Sequence, residues 1–203
     1  MKILCISDTV VPQMESAAHL RRRYNDVQVL VSCGDLPATY LEFITSVLGV
    51  PLFYVRGNHD TGYREYPPGG DDLHNRTINF KGVTFFGLEG SMRYNTSPIQ
   101  YTQSEMSRMA LGAIPLLMPR RMMKGRGVDI FVTHAPPKGI HDRDDLPHNG
   151  FESYLRFMHM VKPRYLLHGH THTWDNRDIV RTQYDETCVM NINPVTLLEF
   201  DEG

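Results

Sequence analysis

The chain has 203 residues, of which 41% are hydrophobic and 22% are charged, as is typical of one soluble globular domain, expected here over 1–203. The formal net charge of -2 excludes a strong general attraction to nucleic acid or to anionic membranes. The apolar run at the N-terminus covers only residues 3–6, which is too short for a signal peptide or a membrane span. We therefore expect a cytoplasmic location. Three cysteines cannot all pair within one chain, and two of them lie in apolar runs, so we expect reduced core thiols.

Short apolar runs alternate along the chain with longer helix-compatible stretches. Most of the short runs are continuously apolar, as in strands that are covered on both faces. Pro115 and Pro119 are expected to kink or break the third helix. The pattern predicts an α/β fold with strands over 2–6, 27–32, 52–55, 129–133 and 164–167, hairpins over 77–87 and 188–200, and helices over 13–24, 40–48, 104–123 and 151–161.

Potential metal ligands directly follow all five predicted strands. The carboxyl ends of strands in an open α/β sheet face a common crevice, so side chains that are distant in sequence can converge there. Gly34, Gly57 and Gly169 each precede a ligand, where a sharp turn or a close backbone approach is expected. The ligand candidates are Asp8, Asp35, Asn58-His59-Asp60, His134 and His170-Thr171-His172.

The order of these fragments resembles the calcineurin-like metallophosphoesterase family, and the resemblance spans 3–172. Any one fragment is a weak signal, but five fragments in the right order at strand ends make coincidence improbable. The family implies two mixed sheets between helices, a four-layer αββα fold, with two metal ions at the strand ends. The fragments are Ser7-Asp8, Gly34-Asp35, Gly57-Asn58-His59-Asp60, Thr133-His134-Ala135-Pro136-Pro137 and Gly169-His170-Thr171-His172.

The resemblance also implies two sets of metal ligands. The second metal would be bound by Asp35, Asn58, His134 and His170, and that set is complete. The first metal would take Asp8, the shared Asp35, His172 and a histidine at position 10. Valine occupies that position, and it has no donor atom, so the first site is expected to bind its metal weakly or to recruit another ligand.

Oxygen and imidazole ligands without thiolate suit Mn²⁺, Fe or Zn²⁺, with one or two ions per chain. Two cations close together would hold the phosphoryl oxygens of a phosphate-ester substrate and acidify a water that becomes the nucleophile. By resemblance, His59 would protonate the leaving oxygen and Asp60 would hold the His59 ring. Arg56 and Arg93 are weaker candidates for contact with the phosphate.

Several other groups have plainer interpretations. His168 is expected to face away from the ligands as a hydrogen-bonded structural histidine, because side chains alternate along a strand. The basic group Arg120, Arg121, Lys124 and Arg126 is expected to be solvated charge near a helix C-terminus. Methionines between positions 106 and 123 are expected to pack on the helix, with a homo-oligomer contact as an alternative. The segments 61–75 and 91–102 are expected to form the walls that set specificity.

The sequence therefore predicts a metal-dependent hydrolase of phosphomonoesters or phosphodiesters. An alternative stays open, because some members of this fold have lost metal ligands and serve as protein interaction modules, as one retromer subunit does. Val10 favours that alternative, whereas the intact His59, Asp60 and second ligand set favour the enzyme.

Overall fold

The computed structural model describes residues 1–171 and 179–201. The helices are α1 (Ala17–Arg23), α2 (Ala38–Leu48), α3 (Gln103–Lys124) and α4 (Glu152–Val161). Short 3₁₀ turns lie at Pro12–Glu15, Asp60–Arg64 and Leu146–His148. The strands are β1 (Lys2–Ile6), β2 (Val29–Ser32), β3 (Leu52–Tyr54), β4 (Asp71–Asp72), β5 (Thr77–Phe80), β6 (Val83–Leu88), β7 (Ser91–Met92), β8 (Gln100–Tyr101), β9 (Ile130–Thr133), β10 (Tyr165–His168), β11 (Arg181–Tyr184), β12 (Thr187–Asn191) and β13 (Val195–Glu199).

Two large mixed sheets form the centre of the fold. The first has the order β13-β1-β2-β3-β4, in which only β13 is antiparallel to its neighbour. The second has the order β11-β12-β10-β9-β6-β5, with antiparallel strands at its two edges. Parallel centres with antiparallel strands at three of the four edges of these two sheets confirm the predicted mixture.

Successive side chains of each strand point to opposite faces of its sheet, and this alternation produces the layers. In β1, Ile3 and Cys5 pack between the sheets, whereas Leu4 and Ile6 pack against the layer that contains α1 and α2. In the second sheet, Phe85 faces the other sheet and Phe86 packs against α3 and α4. Both faces of each sheet are therefore buried, which explains the continuously apolar strands and gives the predicted four layers.

The predicted hairpin over 188–200 is wrong. Strands form at both of its arms, but β12 lies in the second sheet beside β10 and β11, and β13 pairs with β1 in the first sheet. The connection between them carries the chain across the core. The pairing of β13 with β1 buries Leu198 between the sheets, and a hairpin with β12 would forgo that contact.

Two helix predictions also need correction. The helix predicted over 13–24 is a 3₁₀ turn followed by α1, because Ser16 is extended and caps α1 by accepting a hydrogen bond from the His19 amide. The helix α3 is continuous through its prolines, so the predicted break does not occur, and a kink there stays a prediction. Both rings lie on exposed positions, so water can satisfy the carbonyls that lose a helical partner.

The parallel strands β1, β2, β3, β9 and β10 end at one edge of the molecule, and the segments that follow them carry the predicted ligands. Among the described residues, no helix is both long and apolar enough to cross a membrane.

Candidate metal centre

Three predicted ligands share an unusual backbone conformation. Asp8, Asp35 and His170 have φ of 62°, 56° and 66°, in the left-handed region that residues other than glycine rarely adopt. Each lies two or three residues after the end of a parallel strand. The turn redirects the chain at the sheet edge, and backbone strain of this kind concentrates at functional sites.

The glycines before the ligands allow the strand ends to approach closely. A Cβ on Gly57 would lie 2.0 Å from Asp35 Oδ1, and one on Gly169 would lie 2.2 Å from Asp8 Oδ2. Gly34 has φ of 96°, and its Cβ would lie 2.3 Å from the Gly57 amide nitrogen. The predicted close approach is confirmed at all three glycines, and any side chain there would displace a carboxylate, the Ser7 side chain or the facing backbone.

The side chains of Asp35, His134 and Asn58 converge on one point. The carbonyl of Cys33 can only accept a hydrogen bond, so Nδ1 of His134 donates to it at 2.7 Å. This bond turns Nε2 of His134 toward Asn58 Oδ1 at 3.0 Å and Asp35 Oδ2 at 3.4 Å. Without a proton or a cation between them, three lone-pair donors would repel one another, so the arrangement fits a divalent ion.

His170 completes this set from the other strand end. Its Nε2 donates to the Pro147 carbonyl at 2.7 Å, which leaves Nδ1 as the lone-pair nitrogen. Ligand atoms of Asp35, His134 and His170 all lie within 4.8 Å of one another. Burial and the neighbouring His134 lower the pKa of His170 to about 3, so the ring is neutral at pH 7, as a metal ligand must be.

Asp35 and His134 form a charged pair when no cation is bound. Burial raises the pKa of Asp35, but the attraction of His134 and hydrogen bonds from His134 and the His59 amide outweigh it and lower the pKa. Burial lowers the pKa of His134, but Asp35 and Asp8 outweigh it and raise the pKa above its usual value. A proton on His134 therefore takes the position that a metal ion would compete for.

Asp8 lies beside this set and accepts a hydrogen bond from the His170 amide at 2.9 Å. Burial raises the pKa of Asp8, which a cation nearby would reverse. A pocket of about 320 Å³ joins Asp8 to Asp35, His59, His148 and His170. His172 lies outside the described residues. Val10 is partly exposed and lines a neighbouring pocket with Tyr40 and Glu15, outside the group of lone-pair donors.

The other predicted site residues have different surroundings. His59 is exposed on the wall of the site, and its amide donates to Asp35 Oδ1 at 2.8 Å. The Asp60 carboxylate accepts hydrogen bonds from the amides of Asp35 and Gly57, both at 2.7 Å. Asp60 was predicted to hold the His59 ring in place. The observed hydrogen bonds instead connect its carboxylate to the backbone of two loops of the site.

Both candidate phosphate-binding arginines pair with carboxylates of the protein. Arg56 makes a two-point ion pair with the buried Glu89, at 2.6 and 3.0 Å. Arg93 pairs with Glu105 at the start of α3 and also donates to the Gln100 carbonyl. These carboxylates would compete with a phosphate for the same guanidinium groups, and contact of Arg56 and Arg93 with phosphate stays a prediction.

Sequence reasoning missed three side chains that shape the site. Asn58 Nδ2 donates to the Tyr94 hydroxyl at 3.2 Å, which aims Oδ1 at His134. His148 lines the pocket, with its ring centroid 4.9 Å from that of His170. Glu89 follows β6 and anchors Arg56. None of them lies in a recognisable motif, so only the folded chain reveals their role.

The plainer interpretations have mixed outcomes. His168 is buried, donates to the Gly169 carbonyl and contacts His141, as expected for a structural histidine. Of the basic group, Arg120 pairs with Asp129 at 2.6 Å, so it is not simply solvated charge. Of the five methionines of α3, Met106 is buried, Met109 and Met118 are partly buried against the core, and Met122 and Met123 are highly exposed.

With this geometry in view, comparison with known proteins identifies the family. The model of the calcineurin-like phosphoesterases matches residues 1–174. The chain belongs to the calcineurin-like phosphoesterase family. Members of this family bind divalent metal ions, and the Asp35, His134 and His170 cluster is a possible site for one. A comparison with curated proteins gave no match.

Solved structures with the calcineurin-like fold resemble the chain at low sequence identity. TT1561 of Thermus thermophilus is 15% identical with a TM-score of 0.64, covering 95% of this chain and 89% of its own. GAP50, described as the anchor in the inner membrane complex of Plasmodium, is 13% identical with a TM-score of 0.52, covering 94% and 70%. A Vps29 variant from Entamoeba histolytica is 13% identical with a TM-score of 0.49, covering 100% and 87%. At such identities the likeness to the first two structures, whose TM-scores are above 0.5, establishes the fold alone.

Proposed function

We propose that the chain hydrolyses phosphomonoesters or phosphodiesters at a centre of one or two divalent metal ions. The observation that carries this proposal is the convergence of lone pairs from Asp35, Asn58 and His134, with His170 completing the set. Carboxylate, amide and imidazole ligands suit Mn²⁺, Fe or Zn²⁺. When bound, such ions would neutralise the phosphate and acidify an attacking water.

The side chains around the metal centre would each have a separate role in the reaction. Asp8, Asp35 and His172 would hold the first ion with one ligand fewer than the family pattern, because Val10 has no donor atom. The exposed ring of His59 stands on the wall of the site, where it can protonate the leaving oxygen. Asp60 accepts hydrogen bonds from the backbone amides of Asp35 and Gly57 and so fixes the two loops relative to each other. Phosphate charge would be met mainly by the metal ions, since Arg56 and Arg93 are paired.

The proposal extends to the setting of the reaction. A cytoplasmic location is supported by three buried free cysteines, as in proteins of reducing compartments. A homo-oligomer remains a prediction, and the exposed apolar side chains Leu116, Met122 and Met123 on α3 are compatible with it.

An activity panel tests the proposal. Protein reconstituted separately with Mn²⁺, Fe²⁺ and Zn²⁺ should hydrolyse p-nitrophenyl phosphate or its bis ester with at least one metal. No hydrolysis of either ester with any metal would contradict the proposal.

The role of His59 gives a sharper test. In His59→Gln we expect metal content to stay unchanged and kcat to fall by roughly 10²-fold or more, because no group protonates the leaving oxygen. The loss should be larger for phenyl esters than for p-nitrophenyl esters, whose leaving group needs less protonation. Arg22→Gln, on α1, is the matched control and should retain full activity. Equal losses for the two esters would contradict the acid role.

A second candidate function is that of an interaction module with weak or no catalysis. Val10 favours it, and so does the role of GAP50 as an anchor in Plasmodium. This function requires neither a bound metal nor His59. A protein that binds less than about half a metal ion per chain and hydrolyses neither ester would support the module over the enzyme.

A further inference from the structure

A second pocket opens beside the metal centre and shares a wall with it. Its volume is about 420 Å³, within the range of small-molecule sites, and it is lined by Asp35, His59 and Asp60 from the centre. The opposite wall comes from the segment between β2 and α2 and from the 3₁₀ turn after Asp60. Its main residues are Leu36, Pro37, Ala38, Tyr63 and Tyr66. We call these five residues the aromatic wall.

The aromatic wall offers apolar surface and no cationic side chain. The Tyr63 hydroxyl donates to the Leu36 carbonyl, and its ring packs edge-on against Tyr54, so the ring is held in place. Burial raises the pKa of Tyr63, so the hydroxyl stays neutral. Among the described residues that line this pocket there is no lysine or arginine, so an additional anionic group would find no charge partner there. The pocket therefore favours a neutral apolar group.

The exposed ring of Tyr66 favours a planar group in this pocket. Tyr66 is 77% exposed and lines the pocket, and within the described part of the chain its side chain takes part in no hydrogen bond or ring pair. Only its amide is engaged, with the Gly62 carbonyl. An aromatic ring left in water beside an apolar wall gains both buried area and stacking when a planar group enters.

Resting on the function proposed above, we infer that the substrate is a phosphate ester that carries a neutral aromatic group close to its phosphorus. The phosphate occupies the metal centre, and the aromatic group lies between Leu36, Tyr63 and Tyr66. A nucleobase and a simple aryl group share this chemistry, and both fit the volume. The specificity wall thus includes residues 36–38, which sequence reasoning did not assign, in addition to part of 61–75.

Binding of phosphonates to the metal-loaded protein tests this inference without turnover. Methylphosphonate and benzylphosphonate carry the same anionic group and have no ester bond to hydrolyse. We expect benzylphosphonate to bind at least about tenfold more tightly in calorimetry, since a buried ring adds apolar contact. Tyr66→Ala should remove most of this difference and leave methylphosphonate affinity unchanged, whereas Tyr66→Phe should keep it.

Two further variants and one further ligand complete the design. Ala38→Phe fills the pocket and should weaken benzylphosphonate binding alone, and Leu116→Ala, an exposed position on α3, should change neither affinity. A thymidine 5′-phosphonate that binds more tightly than benzylphosphonate assigns nucleotides, and the reverse order assigns aryl esters. Equal affinities of the wild-type protein for methyl- and benzylphosphonate would overturn the inference while the proposed function stands. Failure of both to bind would contradict the proposed function itself.

Discussion

At the scale of single residues, the candidate metal centre depends on hydrogen bonds that orient each side chain and so determine which of its atoms faces the centre. The carbonyls of Cys33 and Pro147 fix the imidazoles of His134 and His170, and Tyr94 fixes the amide of Asn58. The convergence of these side chains could be predicted from the motifs. The partners that orient them could not, because a backbone carbonyl has no sequence signature.

The proton on His134 gives a prediction about pH. Because its pKa is raised, His134 is protonated at pH 7 in the metal-free protein, and binding of a cation must release that proton. Affinity for Mn²⁺ should therefore rise with pH, up to about tenfold per unit while the ring remains protonated. Calorimetry in two buffers of different ionisation enthalpy should show a proton released per ion. The exposed variant His159→Gln should release the same number, and absence of proton release would show that His134 is not displaced.

Gly57 gives a prediction about close packing. In Gly57→Ala the new Cβ would lie 2.0 Å from Asp35 Oδ1, so the carboxylate must move. We expect a loss of about 1–3 kcal/mol in the free energy of unfolding and a lower metal affinity. Gly112→Ala is the matched control, because its Cβ would meet nothing within 4 Å in the middle of α3, and it should stabilise by about 0.5–1 kcal/mol. Urea unfolding and metal titration measure both, and equal behaviour of the two variants would contradict the packing account.

At the scale of elements, an ion pair ties a loop of the site to the second sheet. Arg56 follows β3 of the first sheet, and Glu89 follows β6 of the second. Glu89 is buried and also accepts a hydrogen bond from the Tyr101 hydroxyl at 2.6 Å. The pair holds the backbone just before Gly57 and Asn58, so its role is structural.

Removal of the Arg56 guanidinium should therefore lower the free energy of unfolding. Arg56→Met leaves Glu89 buried without its cation, and we expect a loss of roughly 3 kcal/mol in the free energy of unfolding. Changing Glu89 to Gln in the same chain should recover part of it. Arg76→Met removes an exposed pair with Asp71 and should change stability by no more than about 0.5 kcal/mol. Similar losses in Arg56→Met and Arg76→Met by urea unfolding would contradict this account.

Elements with a strong local pattern were predictable, and elements defined by distant partners were not. The run Lys2–Ile6 forms β1 as predicted, because burial on both faces leaves a continuous apolar signal. Val195–Glu199 forms a strand, but its partner is β1 rather than β12, and that choice depends on packing between sheets. The helix α3 continues through Pro115 and Pro119 because their positions face water, which the residue type alone does not show.

At the scale of the whole molecule, two mixed sheets bring strand ends from distant parts of the chain to one edge. Motif order predicted this convergence for Asp35, Asn58, His134 and His170, and their geometry bears it out. The pocket formed by 36–38 and Tyr66 was not predictable, because it depends on how α2 begins beside the 3₁₀ turn. The fold thus determines the ligand cluster, and local walls determine what else enters.

The claim on which the account depends is that this cluster binds a divalent ion. Equilibrium dialysis against Mn²⁺ followed by elemental analysis measures it directly. We predict about one tightly bound ion per chain, a further weakly bound ion that Val10→His strengthens, and loss of the tight ion in His134→Ala. Less than about half an ion per chain in the wild-type protein, or unchanged content in His134→Ala, would contradict the account.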